Sequence, residues 1–241
     1  MFDLSNLNIK ARTGVYAPGQ ERVVQILQTA LDLMIHVGLQ AVTLREIARR
    51  CDIRVSAIHH YYKTRDDLIL DLLASVLNAY EELFSEFLNS PRDPADVQLK
   101  KFIITILDDI QTLRTTNLFP ELWTLANRNP DVARMVDAIY IRSRSIVSRL
   151  IQRINPDLDT RTRETLAVYL TASLEGLTVF AGHNKVWEGE MPLLKEIACE
   201  SLLLTVRSIK PAANADPDWR PPTLLDAQAY QRLVGTDLEE A

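Results

Sequence analysis

The side chains with the clearest potential for chemistry lie in one stretch, Val42–Leu68, with the sequence VTLREIARRCDIRVSAIHHYYKTRDDL. The stretch is rich in small, hydroxyl-bearing, aromatic and cationic groups, which are the groups that contact base edges and phosphate oxygens in DNA. Thr43 followed three residues later by Glu46 is typical of the first turn of a helix. A second short helix is predicted at about Val55–Tyr62. Two short helices joined by a tight bend predict a helix-turn-helix, whose second helix enters the major groove.

The candidate DNA-binding residues lie mainly on the side of this second helix that is opposite its apolar residues. Small residues allow close approach to base edges, and cations further along suit phosphate oxygens. The candidate set is Thr43, Arg45, Arg54, Val55, Ser56, His59, His60, Lys63 and Arg65. On spacing alone, an ordinary structural pair of short helices with a few basic residues remains the alternative.

This stretch resembles the TetR family of transcriptional regulators. The residues that carry the resemblance, within Val23–Leu73, are Ala30, Gly38, Thr43, Ile47, Ala48, His60, Tyr61, Tyr62, Lys63, Arg65 and Leu68. The resemblance implies an N-terminal three-helix bundle with the helix-turn-helix, and a C-terminal helical domain for ligand binding and dimerisation. It also implies a homodimer whose recognition helices lie about one DNA turn apart and read a palindromic operator.

Four residues depart from the family pattern. Asp52 stands where the family usually has Gly at the turn, and Arg54 stands where Ser or Thr usually caps the recognition helix. His59 replaces the usual Tyr, and Arg65 replaces the usual Lys. Because Arg54 and His59 belong to the presumed DNA face, the operator sequence does not follow from the resemblance.

Helical periodicity recurs along the whole chain, and no strand-like alternation persists, so we predict an all-α fold. We expect a flexible N-terminal arm at 1–20 and a TetR-type helix-turn-helix domain at 21–68. A helical ligand-binding and dimerisation domain should follow at 69–210, with a C-terminal extension at 211–241. Within the third segment, a helix at about 118–128 is expected to hold Pro120 in its first turn, where proline is tolerated.

The charge distribution separates the two parts of the chain. The chain has 241 residues, 47% of them hydrophobic, and a net charge of −5. Residues 1–65 contain nine Lys and Arg against five Asp and Glu, whereas residues 66–241 contain 18 against 27. A basic DNA-binding head on an acidic partner domain is consistent with this asymmetry.

The remaining reactive side chains give no pattern of catalysis or of metal binding. The two cysteines, Cys51 and Cys199, are far apart and are expected to be buried free thiols. The histidines form no metal-ligand spacing, and no phosphate-binding glycine loop or nucleophile elbow occurs. We therefore expect no enzyme, no cofactor and no metal. Glu175 lies in an apolar run, and we expect it to be ion-paired or to face an interface, a perturbed carboxylate being the alternative.

No signal peptide and no apolar run of about 18 residues is recognisable, so a cytoplasmic protein is expected.

Bulky and polar side chains in the C-terminal part form a candidate effector site. Ligand sites in helical domains commonly lie between helices, although core packing is the alternative reading for each aromatic residue. The segments ELWTLANRNPDV and SLEGLTVF resemble parts of TetR C-terminal domains, which usually bind a small inducer. The candidate ligand-binding residues are Phe102, Phe119, Trp123, Asn127, Tyr140, Arg144, Tyr169 and His183.

The last two long helices each have a face of small and apolar residues that predicts a dimer interface. A helix that is apolar on two sides is expected to be buried on two sides, and the TetR resemblance implies a four-helix interface between two subunits. The candidate interface residues are Leu166, Tyr169, Ser173, Gly176, Leu177, Ile197, Ser201 and Leu204. A monomer with a well-packed core is the alternative.

Together these features predict a homodimeric repressor that a small-molecule ligand releases from its operator by moving the helix at 66–89. The alternatives are a dimeric DNA-binding protein whose C-terminal domain serves assembly or protein contacts without an inducer, and an activator.

Overall fold

The computed structural model describes residues 17–88, 93–212, 216 and 218–234, and these residues contain helices and turns but no β-strand. The predicted all-α fold is therefore confirmed. The helices are α1 (Ala17–His36), α2 (Leu44–Arg50), α3 (Val55–Ile58), α4 (Arg65–Leu88), α5 (Ala95–Ile110), α6 (Leu113–Ala126), α7 (Pro130–Ile154), α8 (Thr160–Ala181), α9 (Met191–Ser208) and α10 (Ala227–Val234). Short 3-10 helices occupy Leu39–Ala41 and Glu188–Glu190.

The described residues form two compact units. We call residues 17–80 and 117–136 the head unit, and residues 81–88, 93–116, 137–212, 216 and 218–234 the body unit. The domain boundaries predicted at residues 20, 68 and 210 stay predictions. Residues 1–16 of the predicted arm and residues 213–215, 217 and 235–241 of the predicted extension lie outside the described residues.

The head unit is built around α1, α2, α3 and the first part of α4. Helix α1 ends at His36, and Gly38 then adopts a φ of +103°, a conformation that favours glycine. The amides of Val37 and Gly38 both donate to the Leu33 carbonyl, which closes the helix end. The largest fully buried side chains of the head unit include Ile26, Leu27, Leu33, Met34, Ile47, Ile58, Tyr62, Leu68, Ile69 and Leu72. Burial of each such aliphatic side chain stabilises the fold by roughly 1.5–3 kcal/mol.

The body unit contains α5 packed against both α8 and α9, with α8 also contacting α9. Phe84 on α4 stacks near Phe102 on α5, with 6.2 Å between the ring centroids. Cys51 in the head unit and Cys199 in the body unit are both buried and free, as the sequence predicted.

One helix boundary differs from the sequence prediction. Helix α6 begins at Leu113, not near residue 118, so Pro120 lies in the helix interior instead of its first turn. The earlier start is set by Thr112, whose hydroxyl accepts from the Thr115 amide at 3.2 Å and so caps the new first turn.

Within the described residues, no helix is long and apolar enough to cross a membrane. The same residues contain no group of three or more His, Cys, Asp or Glu side chains placed to hold a metal ion.

Candidate nucleic-acid interface

Most of the predicted DNA-binding side chains are exposed in the head unit. Helix α3 buries Ile58, and the turn after it buries Tyr62 at 1% exposure, so the opposite side faces outward. The predicted residues that are exposed are Thr43, Arg45, Arg54, Val55, Ser56, His59, His60 and Lys63. These eight exposed residues carry small, hydroxyl, imidazole and cationic groups, and we call them the α3 surface.

Helix α3 is shorter than the sequence predicted. It ends at Ile58, and His59 and His60 lie in a tight turn whose amides donate to the carbonyls of Val55 and Ala57 at 3.3 Å. The turn returns the chain so that the Tyr62 amide bonds to the Ile58 carbonyl at 2.9 Å. The two histidines are therefore presented from a turn and not from the helix itself.

Helix α2 begins with a side-chain cap, whereas the bend and the start of α3 hold Asp52 and Arg54, two of the residues that depart from the family pattern. Thr43 caps α2 by accepting from the Glu46 amide at 3.2 Å, as predicted. Asp52 at the bend has a φ of +51°, a left-handed conformation that aspartate tolerates better than most residues. Arg54 occupies the N-cap position of α3 but makes no side-chain capping bond.

Glu46 is the acidic residue of α2, one turn before Arg49 and Arg50. Its carboxylate accepts from Arg49 Nη2 at 2.7 Å and from Arg50 Nε at 3.1 Å. These hydrogen bonds, from Arg49 first and then Arg50, lower the pKa of Glu46 to about 2. Glu46 thus stays ionised and engages the two arginines, which were not in the predicted DNA-binding set.

Arg65 differs from the other predicted DNA-binding residues because its guanidinium is directed at the protein backbone. Arg65 Nε donates to the Val42 carbonyl at 2.6 Å, and Nη2 donates to the Leu39 carbonyl at 2.8 Å. The side chain is half-buried. Arg65 therefore joins the start of α4 to the turn that precedes α2, and it positions the helix-turn-helix.

A buried hydrogen bond fixes the other end of the recognition segment. Tyr62 Oη donates to Asp71 Oδ2 at 2.5 Å, and Asp71 is only 8% exposed. The sequence analysis overlooked Asp71. Its position between Leu68 and Leu72, in the apolar stripe of α4, is the signal that would have identified it.

Two residues of α6, neither of them predicted from the sequence, bind the end of α1 and the turn before α2. Asn117 Nδ2 donates to the Ile35 carbonyl at 2.8 Å, and the Leu39 amide donates to Glu121 Oε1 at 3.3 Å. Glu121 also lies where a Cβ on Gly38 would come within 3.3 Å of its Oε1. In each of these two hydrogen bonds the partners are 82 residues apart along the chain, so no local sequence pattern could predict them.

The predicted ligand-binding residues are divided between the two units. Phe119, Trp123 and Asn127 belong to the head unit, where Phe119 meets Tyr80 edge-on with centroids 5.7 Å apart. The ring centroids of Trp123 and Phe119 are 6.2 Å apart, and the side chain of Asn127 is exposed. These aromatic contacts agree with the alternative reading of the rings as packing residues.

The other five predicted ligand-binding residues belong to the body unit and have varied surroundings. Phe102 is buried, whereas Tyr169 is 56% exposed. Arg144 Nη2 lies 3.4 Å from an Asp137 carboxylate oxygen, and His183 Nδ1 lies 3.5 Å from a Glu188 carboxylate oxygen. Tyr140 hydrogen-bonds to Glu175.

Tyr140 is hydrogen-bonded to Glu175, and Glu175 lies near a cluster of buried polar side chains in the body unit. Asp109 accepts from Arg114 Nη2 at 2.5 Å and from the Thr115 hydroxyl at 2.9 Å. Burial, with the nearby charge of Asp109, raises the pKa of Glu175 to about 7, and the bond from Tyr140 opposes this shift. This raised pKa agrees with the perturbed carboxylate that the sequence analysis gave as the alternative for Glu175, and an interface-facing position stays a prediction.

Most of the predicted dimer-interface residues are accessible on α8 and α9. Leu166 is buried at 4% exposure, and the others are half-buried or exposed. Large apolar side chains that remain exposed on these two helices are Val168, Tyr169, Val179, Phe180, Leu193, Ile197 and Leu204. A Cβ added at Gly176 would meet no atom within 4 Å, so nothing within the described part of the chain covers that position.

Comparisons with known proteins give consistent matches for both halves of the sequence. Residues 26–72 match the family model for bacterial regulatory proteins of the tetR family, and residues 95–194 match the model for the C-terminal part of BetI-type transcriptional repressors. The chain is 20% identical over 155 residues to the HTH-type transcriptional regulator BetI of Escherichia coli, covering 64% of this chain and 78% of that protein.

Two solved structures illustrate the similarity of fold. A transcriptional regulator from Pseudomonas aeruginosa PAO1 superposes with a TM-score of 0.63 at 17% identity, covering 83% of this chain and 97% of that one. A transcriptional regulator from Saccharomonospora viridis, in complex with choline, superposes with a TM-score of 0.62 at 20% identity, covering 78% of this chain and 96% of that one.

Proposed function

We propose that this chain, which belongs to the TetR family of bacterial regulatory proteins, acts as a homodimeric repressor that a small-molecule effector releases from a palindromic operator. Its family and relatives are helix-turn-helix transcriptional regulators and not enzymes. The observation that supports the DNA-binding part of this proposal is that eight of the nine predicted residues, those of the α3 surface, are exposed.

In the proposed complex, the exposed side of α3 enters the major groove. Val55 and Ser56 at its start are small enough for close approach to base edges. Lys63, which is exposed just beyond the turn, contacts phosphate, whereas Arg65 supports the motif from behind through its backbone contacts. Arg54 and His59 contribute to sequence preference, because they lie on the same surface and depart from the family pattern.

Dimerisation is proposed through the uncovered apolar face of α8 and α9. Exposed apolar patches of this kind mark interaction sites on proteins. Phe180 and Leu204 are 61% and 66% exposed, and a second copy would bury them in a four-helix interface. A dimer would also place two recognition helices at a fixed spacing, as a palindromic operator requires.

The effector is proposed to bind within the body unit near the buried polar cluster. Arg114 Nε and Nη1, Thr171 Oγ1 and Thr178 Oγ1 are buried there without a protein hydrogen-bond partner, so a ligand could satisfy them. Binding favours a conformation with poor operator affinity, and the coupling equals the difference between the effector's affinities for the two conformations. The signal reaches the recognition surface through α4 and through the α6 residues Asn117 and Glu121.

The test is fluorescence-anisotropy binding to DNA from upstream of the protein's own gene, with a salt titration. Lys63→Ala should weaken binding to every sequence and reduce the salt slope by about one, whereas Lys210→Ala, an exposed lysine outside the α3 surface, should change neither. Binding that is weak and indifferent to sequence would contradict the operator proposal.

The same assay tests effector release. Choline is the first compound to add, because the S. viridis relative was solved with it. Release by a compound that binds the free protein would support a repressor. If compounds that bind the protein leave DNA affinity unchanged, an assembly role for the body is favoured; if they strengthen it, an activator or corepressor mechanism is favoured.

The dimer is tested separately by sedimentation. Leu204→Glu should convert the protein to monomers, whereas Val37→Glu, at the similarly exposed Val37 (60%) in the head unit, should leave the dimer intact. Equal sedimentation coefficients for the unaltered protein, Leu204→Glu and Val37→Glu would contradict the α8–α9 interface.

A further inference from the structure

A cavity of about 370 Å³ lies in the body unit where residues 221–223 of the C-terminal extension cross α7 and α8. Its polar lining includes the guanidinium groups of Arg144, Arg149 and Arg163 and the hydroxyls of Ser145 and Ser148. Pro221 and Pro222 supply part of its apolar wall. This cavity is separate from the buried polar cluster around Glu175, since the two share no lining residue.

The charge of this cavity is opposite to that of the surrounding chain. Residues 66–241 carry 18 basic against 27 acidic residues, whereas three arginines and one glutamate line the cavity; with Asp137, which pairs with Arg144, the local formal charge is +1. Buried Arg142 lies two turns along α7 from Arg149. Partial desolvation, together with the charge of Arg142, lowers the pKa of Arg149 below its usual value. A bound anion would stabilise cations placed in this way.

Two of the arginines are held in defined orientations before any ligand binds. Arg163 Nε donates to Ser148 Oγ at 3.0 Å, and its Nη1 donates to Gln152 Oε1. Arg144 is held by Asp137, at 3.4 Å. Fixed guanidinium groups lose little conformational entropy on binding, and their planar forks match carboxylate and phosphate oxygens.

The proline wall is attached to the body unit by specific contacts. Asp137 Oδ2 accepts from the Thr223 hydroxyl and from the Leu224 amide, both at 2.8 Å. Beyond these contacts, Leu225 and Tyr230 are buried at 1% and 0% exposure. Asp137 therefore contacts both the extension and Arg144, one of the cations that line the cavity.

We propose that this cavity binds a small organic anion, with a carboxylate or phosphate group held by the arginines and an apolar part against Pro221 and Pro222. The volume suits a compact ligand, and the part of the extension that lines the site lies beyond residue 194, where the match to the C-terminal family model ends. The site does not depend on the proposed DNA or effector binding, because it can be measured on the protein alone.

The experiment is calorimetric titration of the full-length protein with phenyl phosphate and, separately, with benzoate. Ionic strength is matched with sodium chloride, which also serves as the salt-only control. Both probes carry an anionic group and an apolar ring, so the two arms distinguish phosphate from carboxylate. We expect saturable binding of at least one probe with a stoichiometry of one per chain.

Arg149→Gln should weaken the binding about tenfold or more, because it removes one charge-assisted contact. Arg128→Gln is the matched control, since Arg128 is exposed and belongs to the head unit. A second variant, Ser145→Phe, fills the cavity and should abolish binding without removing an arginine. The proposal is overturned if neither probe binds above the salt control, or if the cavity variants bind as tightly as Arg128→Gln.

Discussion

Replacing Arg65 by Met should destabilise the head unit while leaving the number of phosphate contacts unchanged. The guanidinium donates to the carbonyls of Leu39 and Val42 at 2.8 and 2.6 Å, on the turn that leads into α2. Methionine keeps much of the aliphatic stem but offers no donor. The turn would then lose both of its links to the first residue of α4.

The magnitude follows from the number of bonds and their exposure. A hydrogen bond to a charged group contributes roughly 1.5–3 kcal/mol where it is well buried. Arg65 is only half-buried, and water can replace part of what is lost. We therefore expect a total loss of about 2 kcal/mol for the two bonds. With an m-value of about 2 kcal/mol per molar, the urea midpoint should fall by about 1 M.

The assay combines urea unfolding with DNA binding at several salt concentrations, and Lys63→Ala provides the contrast. Arg65→Met should lower the midpoint and expose the Thr43 and Ile47 amides to faster hydrogen exchange, with an unchanged salt slope. Lys63→Ala should keep the midpoint and reduce the slope by about one. If Arg65→Met kept its stability and lost about one unit of slope, Arg65 would be a phosphate contact and the reasoning would be refuted.

Three further predictions concern the body unit. Burial and a neighbouring aspartate raise the pKa of Glu175 to about 7 from 4.5, so the folded state binds this proton more tightly and stability falls as the pH rises between those values. Glu175→Gln should remove that fall, on the order of 2–3 kcal/mol, in urea unfolding at pH 5 and pH 8; an unchanged pH dependence would contradict it. Gly182→Ala would place a Cβ 2.6 Å from the Thr116 hydroxyl oxygen and should lower the free energy of unfolding, measured in urea, by about 1–3 kcal/mol. Gly189→Ala, whose Cβ would meet no atom within 4 Å, should not lower it, and equal free energies for the two variants would be evidence against this packing. Asp137→Ala removes the acceptor of the Leu224 amide, so hydrogen exchange at Leu224 should accelerate, and an unaltered rate would show that the extension is held in another way.

The sequence predicted the helical architecture well because its signals are local. Apolar residues at helical spacing mark the buried faces of α1 and α4, and Ile26 and Leu72 are indeed fully buried. Thr43 caps α2, and Gly38 adopts the positive φ expected after α1. Each of these features depends on residues within about one helical turn.

The contacts that the sequence did not predict are those between residues far apart along the chain. Asn117 and Glu121 appear from their neighbours to be ordinary polar residues of an amphipathic helix. Their functions depend on carbonyl and amide groups of Ile35 and Leu39, 82 positions away. Arg65 was similarly assigned to DNA from its type and its neighbours, whereas its hydrogen-bond partners lie 23 and 26 residues earlier.

The predicted ligand-binding set shows a different limit. Bulky aromatic residues in a helical protein serve both as packing groups and as cavity linings, and composition does not separate these roles. Phe119 contacts Tyr80 and Trp123 in the head unit, while Phe102 contacts Phe84 in the body unit. The buried ion pair of Asp109 and Arg114 was not predicted, although a charged residue next to an apolar run can be buried only with a compensating partner.

The turn between α1 and α2 is the point where these separate contacts converge. Its carbonyls receive the Arg65 guanidinium from α4, and its Leu39 amide binds Glu121 from α6. Thr43, the cap of α2, follows Val42 directly, so a displacement of this turn changes where the helix-turn-helix begins. If the proposed effector acts through α6, the hydrogen bond from the Leu39 amide to Glu121 is the contact through which it would displace this turn.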